Sequence, residues 1–149
     1  MEYVDGVLVE RIGGDEAHAL LQVALAAYLH ARRKQWNIQV YLGLRTRVLA
    51  TRYRIADISV YPCPGFEGRY PTVPPLLWIE ILSPDDRVTE VWKKTRELVA
   101  NGAPYIWIIE PESLASELWT PTGIQTIADK TLRLPNFPIV IPLLDVMEE

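Results

Sequence analysis

Two continuous apolar runs constrain the fold of this 149-residue chain more than any other feature. The first covers residues 76–82, with Glu80 as its one charged residue, and the second covers residues 105–109. Runs of this length, bounded by turn residues, are typical of strands that are buried on both faces. The sequence therefore predicts an α/β domain in which helices pack on a sheet.

The other patterns predict the order of the remaining elements. Asp5-Gly6 is a favoured two-residue turn for an N-terminal hairpin, and Asp15 or Gly14 can cap a helix that runs to about Lys34. Strands are predicted at residues 39–42, 44–49, 52–61 and near 139, a hairpin over 118–127, and a helix over 87–100 that Ser83-Pro84-Asp85-Asp86 can cap. The order predicts one mixed sheet within a single domain spanning residues 1–149.

Composition excludes several classes of protein. Hydrophobic residues make up 49% and charged residues 23%, which is typical of soluble globular domains. The longest apolar stretch, residues 20–29, is too short to span a bilayer, and no signal peptide is recognisable. We therefore expect a cytoplasmic protein with no membrane partner. Cys63 is the single cysteine, so no internal disulfide can form and no zinc cluster is expected.

The net charge of −4 argues against a protein that coats nucleic acid by charge alone. One segment differs, since residues 32–54 hold seven basic side chains and no acidic one. Such a segment suits a surface that binds one phosphate-bearing partner, and a merely solubilising surface explains it equally well. Arg45 and Arg47 share a strand face and are candidate phosphate contacts.

Two carboxylates lie in unusual positions. Glu80, inside a buried strand, must be paired, protonated or bound to a cation, because an unpaired buried charge is costly. Asp57 lies inside the predicted strand 52–61, where aspartate is normally depleted. If the two strands are neighbours, both carboxylates can bind one divalent cation such as magnesium or manganese. An ion pair for Glu80 and a strand end or bulge at Asp57 are the structural alternatives.

Two further side chains can approach the same place. Lys94 lies at the edge of the apolar stripe of the second helix and leans toward the sheet, whereas Lys93 points to water. A lysine at a stripe edge is also typical of a surface residue whose stem covers apolar neighbours. His18 begins the inward stripe of the first helix, although a lone helical histidine is more often a packed residue.

These residues resemble the Uma-two family, whose members are restriction-endonuclease-like proteins of the PD-(D/E)xK nuclease superfamily. The resemblance extends from the helix with His18 to Leu118-Trp119, and it is carried by Asp57, Glu80-Ile81-Leu82-Ser83-Pro84, Lys94 and residues 102–111. Three positions depart from the family pattern. Ala56 replaces a proline, Glu110 replaces an aspartate, and Leu82 occupies the usual position of the lysine, which Lys94 would then replace.

The resemblance implies a restriction-endonuclease-like fold, a mixed β-sheet flanked by helices. It further implies a Mg²⁺-dependent (or Mn²⁺-dependent) endonuclease that hydrolyses phosphodiester bonds in nucleic acid, DNA more than RNA. In that interpretation Asp57, Glu80 and the backbone carbonyl of Ile81 hold the metal. Lys94 orients a water or stabilises charge on the phosphorus, and His18 is an additional site residue. The resemblance is also compatible with a homodimer, because one such domain cuts one strand.

Two other functions stay open on the sequence alone. One is an inactive nuclease-fold module that binds nucleic acid or protein, which the net charge favours and the complete set of Asp57, Glu80 and Lys94 disfavours. The other is a purely structural domain in which Glu80 and Lys94 form a buried ion pair. That interpretation predicts no affinity for metal.

Overall fold

A computed structural model describes residues 2–5, 7–9, 15–49 and 51–148 of the chain. In chain order the elements are β1 (Glu2–Val4), β2 (Val7–Val9), α1 (Glu16–Ala31), α2 (Arg33–Trp36), β3 (Ile38–Leu42), β4 (Arg45–Leu49), β5 (Arg52–Ile55), β6 (Ile58–Pro62), β7 (Leu77–Ile81), α3 (Val88–Ala100), β8 (Tyr105–Ile109), β9 (Ser116–Thr120), β10 (Gly123–Ile127), β11 (Thr131–Arg133), β12 (Val140–Pro142) and α4 (Leu143–Glu148). The described helices include none long and apolar enough to cross a membrane.

The core is a six-stranded mixed sheet in the order β10-β9-β8-β7-β6-β3. Strands β7 and β8 run parallel and are joined by α3, while the other neighbours in this sheet are antiparallel. Helix α1 packs on the face that carries Ile79 and Ile81, and α3 packs on the face that carries Trp78. The two apolar runs therefore are strands buried on both faces, as predicted.

The prediction of a single sheet is incomplete, and the prediction of one strand over residues 52–61 is wrong. Strand β5 belongs to a four-stranded antiparallel sheet in the order β2-β1-β5-β4, whereas β6 belongs to the main sheet. Ala56 and Asp57 form the bend between them. Because β5 and β6 are both extended and only two residues separate them, the local pattern does not show where the chain changes sheets. A third sheet pairs β11, which was not predicted, with β12.

The helix boundaries agree with the sequence in part. Asp15 caps α1 by accepting a hydrogen bond from the His18 N–H at 3.1 Å, as predicted. The predicted run to Lys34 is interrupted at Arg32, after which the short α2 follows. Helix α3 has Arg87 at its N-cap without a side-chain bond. The predicted cap from Ser83-Pro84-Asp85-Asp86 is therefore wrong, because the carboxylate of Asp86 accepts from the Ser83 N–H instead.

Both predicted hairpins are present, as β1–β2 and β9–β10. Helix α3 ends at Ala100, as predicted, with Asn101 at its C-cap. The next residue, Gly102, has a φ of 94°, a conformation that glycine adopts without strain. Gly6, in the predicted first turn, and Gly14, the alternative cap, lie outside the described residues.

Candidate active site

Asp57 and Glu80 lie next to the last bonded pair of two neighbouring strands. Strands β6 and β7 are antiparallel, and their ladder ends with Ile58 opposite Ile79. Asp57 lies in the bend directly before β6, and Glu80 follows Ile79 in β7. The two strands are therefore neighbours, which is the condition that a shared cation site requires.

Asp57 is fully buried and its carboxylate is held from two sides. Its Oδ2 accepts a hydrogen bond from the Ile81 N–H at 2.8 Å, and the Nε2 of His18 lies 3.3 Å from the same oxygen. The backbone carbonyl of Asp57 accepts from Gln22 Nε2 at 3.1 Å and from the Gly43 N–H at 3.3 Å. The bend at Asp57 is thus tied to α1, to β7 and to the end of β3.

Glu80 projects from the face of β7 that α3 covers. Its Oε1 accepts a hydrogen bond from Trp78 Nε1 at 2.9 Å and lies 3.3 Å from Lys94 Nζ. The Trp78 side chain points to the same face because residues two apart on a strand share a face, and it is fully buried. Glu80 is therefore a paired carboxylate, and one of its oxygens is oriented by two donors.

Lys94 reaches Glu80 from the second turn of α3, with only 16% of its side chain exposed. Its Nζ also lies 5.9 Å from the centre of the Trp78 ring, within the range of a cation–π contact. Lys93, the preceding residue of the helix, is exposed. The structure therefore separates the two lysines as the helical periodicity predicts.

His18 lies in the first turn of α1 and is 7% exposed. Its position beside the Asp57 carboxylate places it in the candidate site rather than in the apolar part of the core. Gln22, one turn later on the same helix, contacts the Asp57 backbone. The sequence analysis did not identify Gln22, although a polar residue one turn after His18 is the signal that could have indicated it.

Trp78 is the second residue that the sequence analysis did not assign to the site. Its side chain packs in the core, and its indole N–H also donates a hydrogen bond to Glu80. The signal was its position two residues before Glu80 in the same strand, because strand periodicity puts both side chains on one face.

The available donors fit a hard divalent cation. Asp57 and Glu80 supply carboxylate oxygens, and the Ile81 carbonyl lies on the same strand edge as the N–H that binds Asp57. Among the described residues no group of three or more His, Cys, Asp or Glu side chains is arranged to hold a metal ion. Magnesium is suited to such a small set because it usually keeps several waters and binds through one or two carboxylates.

The four arginines of the small sheet divide into two pairs. Arg52 and Arg54 point toward α3, where both contact Glu97, and Arg52 also binds Asp5 at 2.6 Å. The hydrogen bond from Arg52 lowers the pKa of the Asp5 carboxyl to about 2. Arg45 and Arg47 lie on the opposite face of the sheet, because they alternate with the buried Thr46 and Val48.

Comparisons with known proteins agree with this architecture. A crystal structure of a putative nuclease belonging to DUF820 from Anabaena variabilis ATCC 29413 is similar to this chain, with a TM-score of 0.80 and 22% sequence identity. The similarity covers 99% of this chain and 89% of that chain, and it shows a shared fold. The predicted fold class, a mixed sheet flanked by helices, is confirmed.

No curated protein matches the chain. The sequence profile of the Uma2 family, described as "Putative restriction endonuclease", matches residues 1–144. Because this match covers nearly the whole sequence, the predicted family is confirmed, and the chain belongs to the Uma2 family.

Proposed function

We propose that this protein is a Mg²⁺- or Mn²⁺-dependent endonuclease that hydrolyses phosphodiester bonds in nucleic acid, in DNA more than in RNA. The observation that carries the proposal is the placement of Asp57 and Glu80 on neighbouring strands, with a lysine beside Glu80. Asp57 directly precedes β6, Glu80 lies in the adjacent β7, and Lys94 Nζ lies 3.3 Å from the Glu80 carboxylate. Membership of a restriction endonuclease family supports the same reaction class.

Asp57, Glu80 and the carbonyl of Ile81 would hold the metal. A bound Mg²⁺ polarises a phosphodiester oxygen and lowers the pKa of a coordinated water. The two carboxylates are held in place before any ligand arrives, because Ile81 and His18 contact one and Trp78 and Lys94 contact the other. Such preorganisation lowers the cost of reorganising the site during the reaction.

Lys94 is the proposed source of positive charge for the transition state. Its ammonium group has three donors, so it can contact Glu80 and still donate to an attacking water or a phosphoryl oxygen. A positive charge stabilises the charge that develops at the phosphorus more strongly in a site that excludes water than in an exposed site. Lys94 meets this condition because its side chain is largely buried. His18 would fix the orientation of the Asp57 carboxylate.

The Glu80–Lys94 ion pair also favours a second candidate, a structural domain without chemistry. A buried ion pair needs no further ligand, whereas a metal site requires that both carboxylates contribute to binding. Metal affinity therefore distinguishes the nuclease from the structural domain. An inactive module that binds nucleic acid would bind substrate and leave it uncut.

The test is calorimetric titration of Mn²⁺ and Mg²⁺ into the wild type, Glu80→Gln and Glu90→Gln, without nucleic acid. Glu90 is an exposed residue of α3, so its substitution makes the same charge change away from the sheet. We expect metal binding by the wild type and Glu90→Gln, and none by Glu80→Gln. Equal binding by all three would reject the site.

A cleavage assay completes the test. Single-stranded and duplex DNA and RNA are incubated with each variant, with Mg²⁺ or with a chelator. We expect cleavage that needs Mg²⁺, is lost in Glu80→Gln and is retained in Glu90→Gln. The absence of cleavage by the wild type on all four substrates, together with the absence of metal binding, would favour the structural domain.

A further inference from the structure

The outward face of β4 and β5 carries two arginines whose charge is not neutralised within the described part of the chain. Arg45 and Arg47 form no ion pair with a described carboxylate, in contrast to Arg52 and Arg54, which contact Glu97 on the inner face. Arg47 is exposed and Arg45 is half-buried. Two guanidinium groups without an ion pair to any described carboxylate, on an acidic protein, make a local site for anions.

The neighbours of these arginines are aromatic. In the antiparallel register Arg47 lies opposite Tyr53, so the two residues share the outward face. The Arg45 guanidinium lies 5.7 Å from the centre of the Tyr70 ring, and Tyr70 is 45% exposed. Guanidinium groups beside partly exposed aromatic rings are typical of surfaces that bind nucleic acid, because the rings offer stacking and the charges bind phosphate.

A loop segment completes this face along the outer edge of β4. The carbonyl of Pro71 accepts a hydrogen bond from the Arg47 N–H at 3.0 Å, so the residue after Tyr70 is anchored to the strand. The position of Tyr70 beside Arg45 is thus supported by the backbone as well as by the cation–π contact.

The backbone connects this face to the candidate active site. Arg45 lies opposite Ile55, which is two residues before Asp57 in the chain. The Ala56 N–H donates to the Leu44 carbonyl, and the Gly43 N–H donates to the Asp57 carbonyl. The start of β4 is therefore fastened by hydrogen bonds to the bend that carries Asp57.

We propose that this arginine face, defined by Arg45, Arg47, Tyr53 and Tyr70, binds two backbone phosphates of the nucleic-acid strand that enters the active site. The inference rests on the proposed nuclease function for the identity of its ligand. A local face of this kind explains how a chain with a net charge of −4 can hold nucleic acid, since only the phosphates nearest the site need be contacted.

The test is the affinity for fluorescein-labelled oligonucleotides, single-stranded and duplex, measured by fluorescence anisotropy in EDTA so that no cleavage occurs. The variant is Arg45→Gln/Arg47→Gln. The matched control is Arg33→Gln/Lys34→Gln, which removes two positive charges in α2. These residues lie near the start of β3, which pairs with Pro62, whereas the end of β3 near Asp57 pairs with Ile58. Circular dichroism melting curves check that both variants are folded.

We expect the double variant at Arg45 and Arg47 to bind at least tenfold more weakly than the wild type, and the control to bind like the wild type. The slope of log K against log salt should fall by about 1.8 on duplex or about 1.4 on single strands, the value for two lost phosphate contacts. An unchanged affinity and slope in this variant, equal weakening in the control, or no binding by the wild type would overturn the inference.

Titration of Mn²⁺ distinguishes this inference from the proposed function. Arg45→Gln/Arg47→Gln should keep the metal affinity of the wild type, because neither side chain is a proposed ligand. If the wild type binds no metal and cuts nothing, yet loses oligonucleotide affinity in this variant, the arginine face stands and the nuclease function fails.

Discussion

Lys94 and Glu80 form an ion pair between a helix and a strand, with Nζ 3.3 Å from Oε1, although they are 14 positions apart in the chain. The pair forms because α3 crosses the sheet face from which Glu80 projects. Trp78 donates to the same Oε1, so the carboxylate is bound by a charged and a neutral donor at one oxygen. This arrangement makes the contributions of Lys94 and Trp78 separable by substitution.

Lys94→Ala should reduce cleavage by about 100-fold or more, because a positioned charge at the phosphoryl group is a large part of such catalysis. The exposed neighbour Lys93 provides the matched control, since Lys93→Ala removes the same charge from a solvent-exposed position of α3. The measurement is the single-turnover rate at saturating Mg²⁺. Comparable rates for the two variants would exclude Lys94 from the reaction.

Trp78→Phe should weaken the affinity for Mn²⁺ by about 10- to 100-fold, the typical cost of losing a group that orients a metal ligand. The substitution keeps an aromatic ring in the core and removes the N–H that binds Glu80. Calorimetric titration measures the effect.

Trp107→Phe is the control for this prediction. Trp107 is equally buried in the adjacent strand β8, and its Nε1 has no hydrogen-bond partner in the described structure. Its substitution should therefore leave the metal affinity unchanged. If both variants lose affinity equally, general repacking rather than the Trp78–Glu80 bond is responsible.

Asp57→Ala should lower the free energy of unfolding by about 1–3 kcal/mol, because it leaves the buried Ile81 N–H without its acceptor. Asp57→Asn keeps an oxygen that can accept this bond and should cost less. Both variants should lose metal binding, since neither alanine nor the asparagine amide carries the negative charge of the carboxylate. Urea denaturation and calorimetric titration measure the two effects. A metal affinity retained in Asp57→Asn would contradict the assignment of Asp57 as a ligand.

The Asp5–Arg52 pair should make stability depend on pH in acid. The hydrogen bond from Arg52, followed by that from Thr51, lowers the pKa of Asp5 from 3.8 to about 2. A lowered pKa in the folded state stabilises the fold above the unfolded value, near 4, and this contribution is lost as the pH falls through 2. The wild type should therefore have a higher Tm than Asp5→Asn at pH 7, with the difference shrinking between pH 4 and pH 2.

Asparagine suits this comparison because residue 5 has a φ of 49°, a conformation that asparagine tolerates. The control is Asp85→Asn, at an exposed aspartate. A Tm difference for Asp5→Asn that stays constant from pH 7 to pH 2 would show that the carboxylate charge is not the cause.

The sequence by itself determined the local elements and the residues that need partners. The apolar runs around Trp78 and Trp107 predicted strands buried on both faces, and the inward stripe of α1 from His18 to Leu29 is buried as expected. Periodicity is a local property, so it can be read from neighbouring residues. The same reasoning required a partner for Glu80 and distinguished Lys94 from Lys93.

The tertiary structure alone decided how those elements combine. It placed the bend at Ala56 and Asp57, and it brought Ile81 and His18 into contact with the Asp57 carboxylate. It also put Arg45 and Arg47 on the sheet face opposite to the ion-paired Arg52 and Arg54. Strand neighbours and register depend on contacts between residues far apart in the chain. No local pattern specifies them, because one step of register moves every side chain to the other face of a sheet.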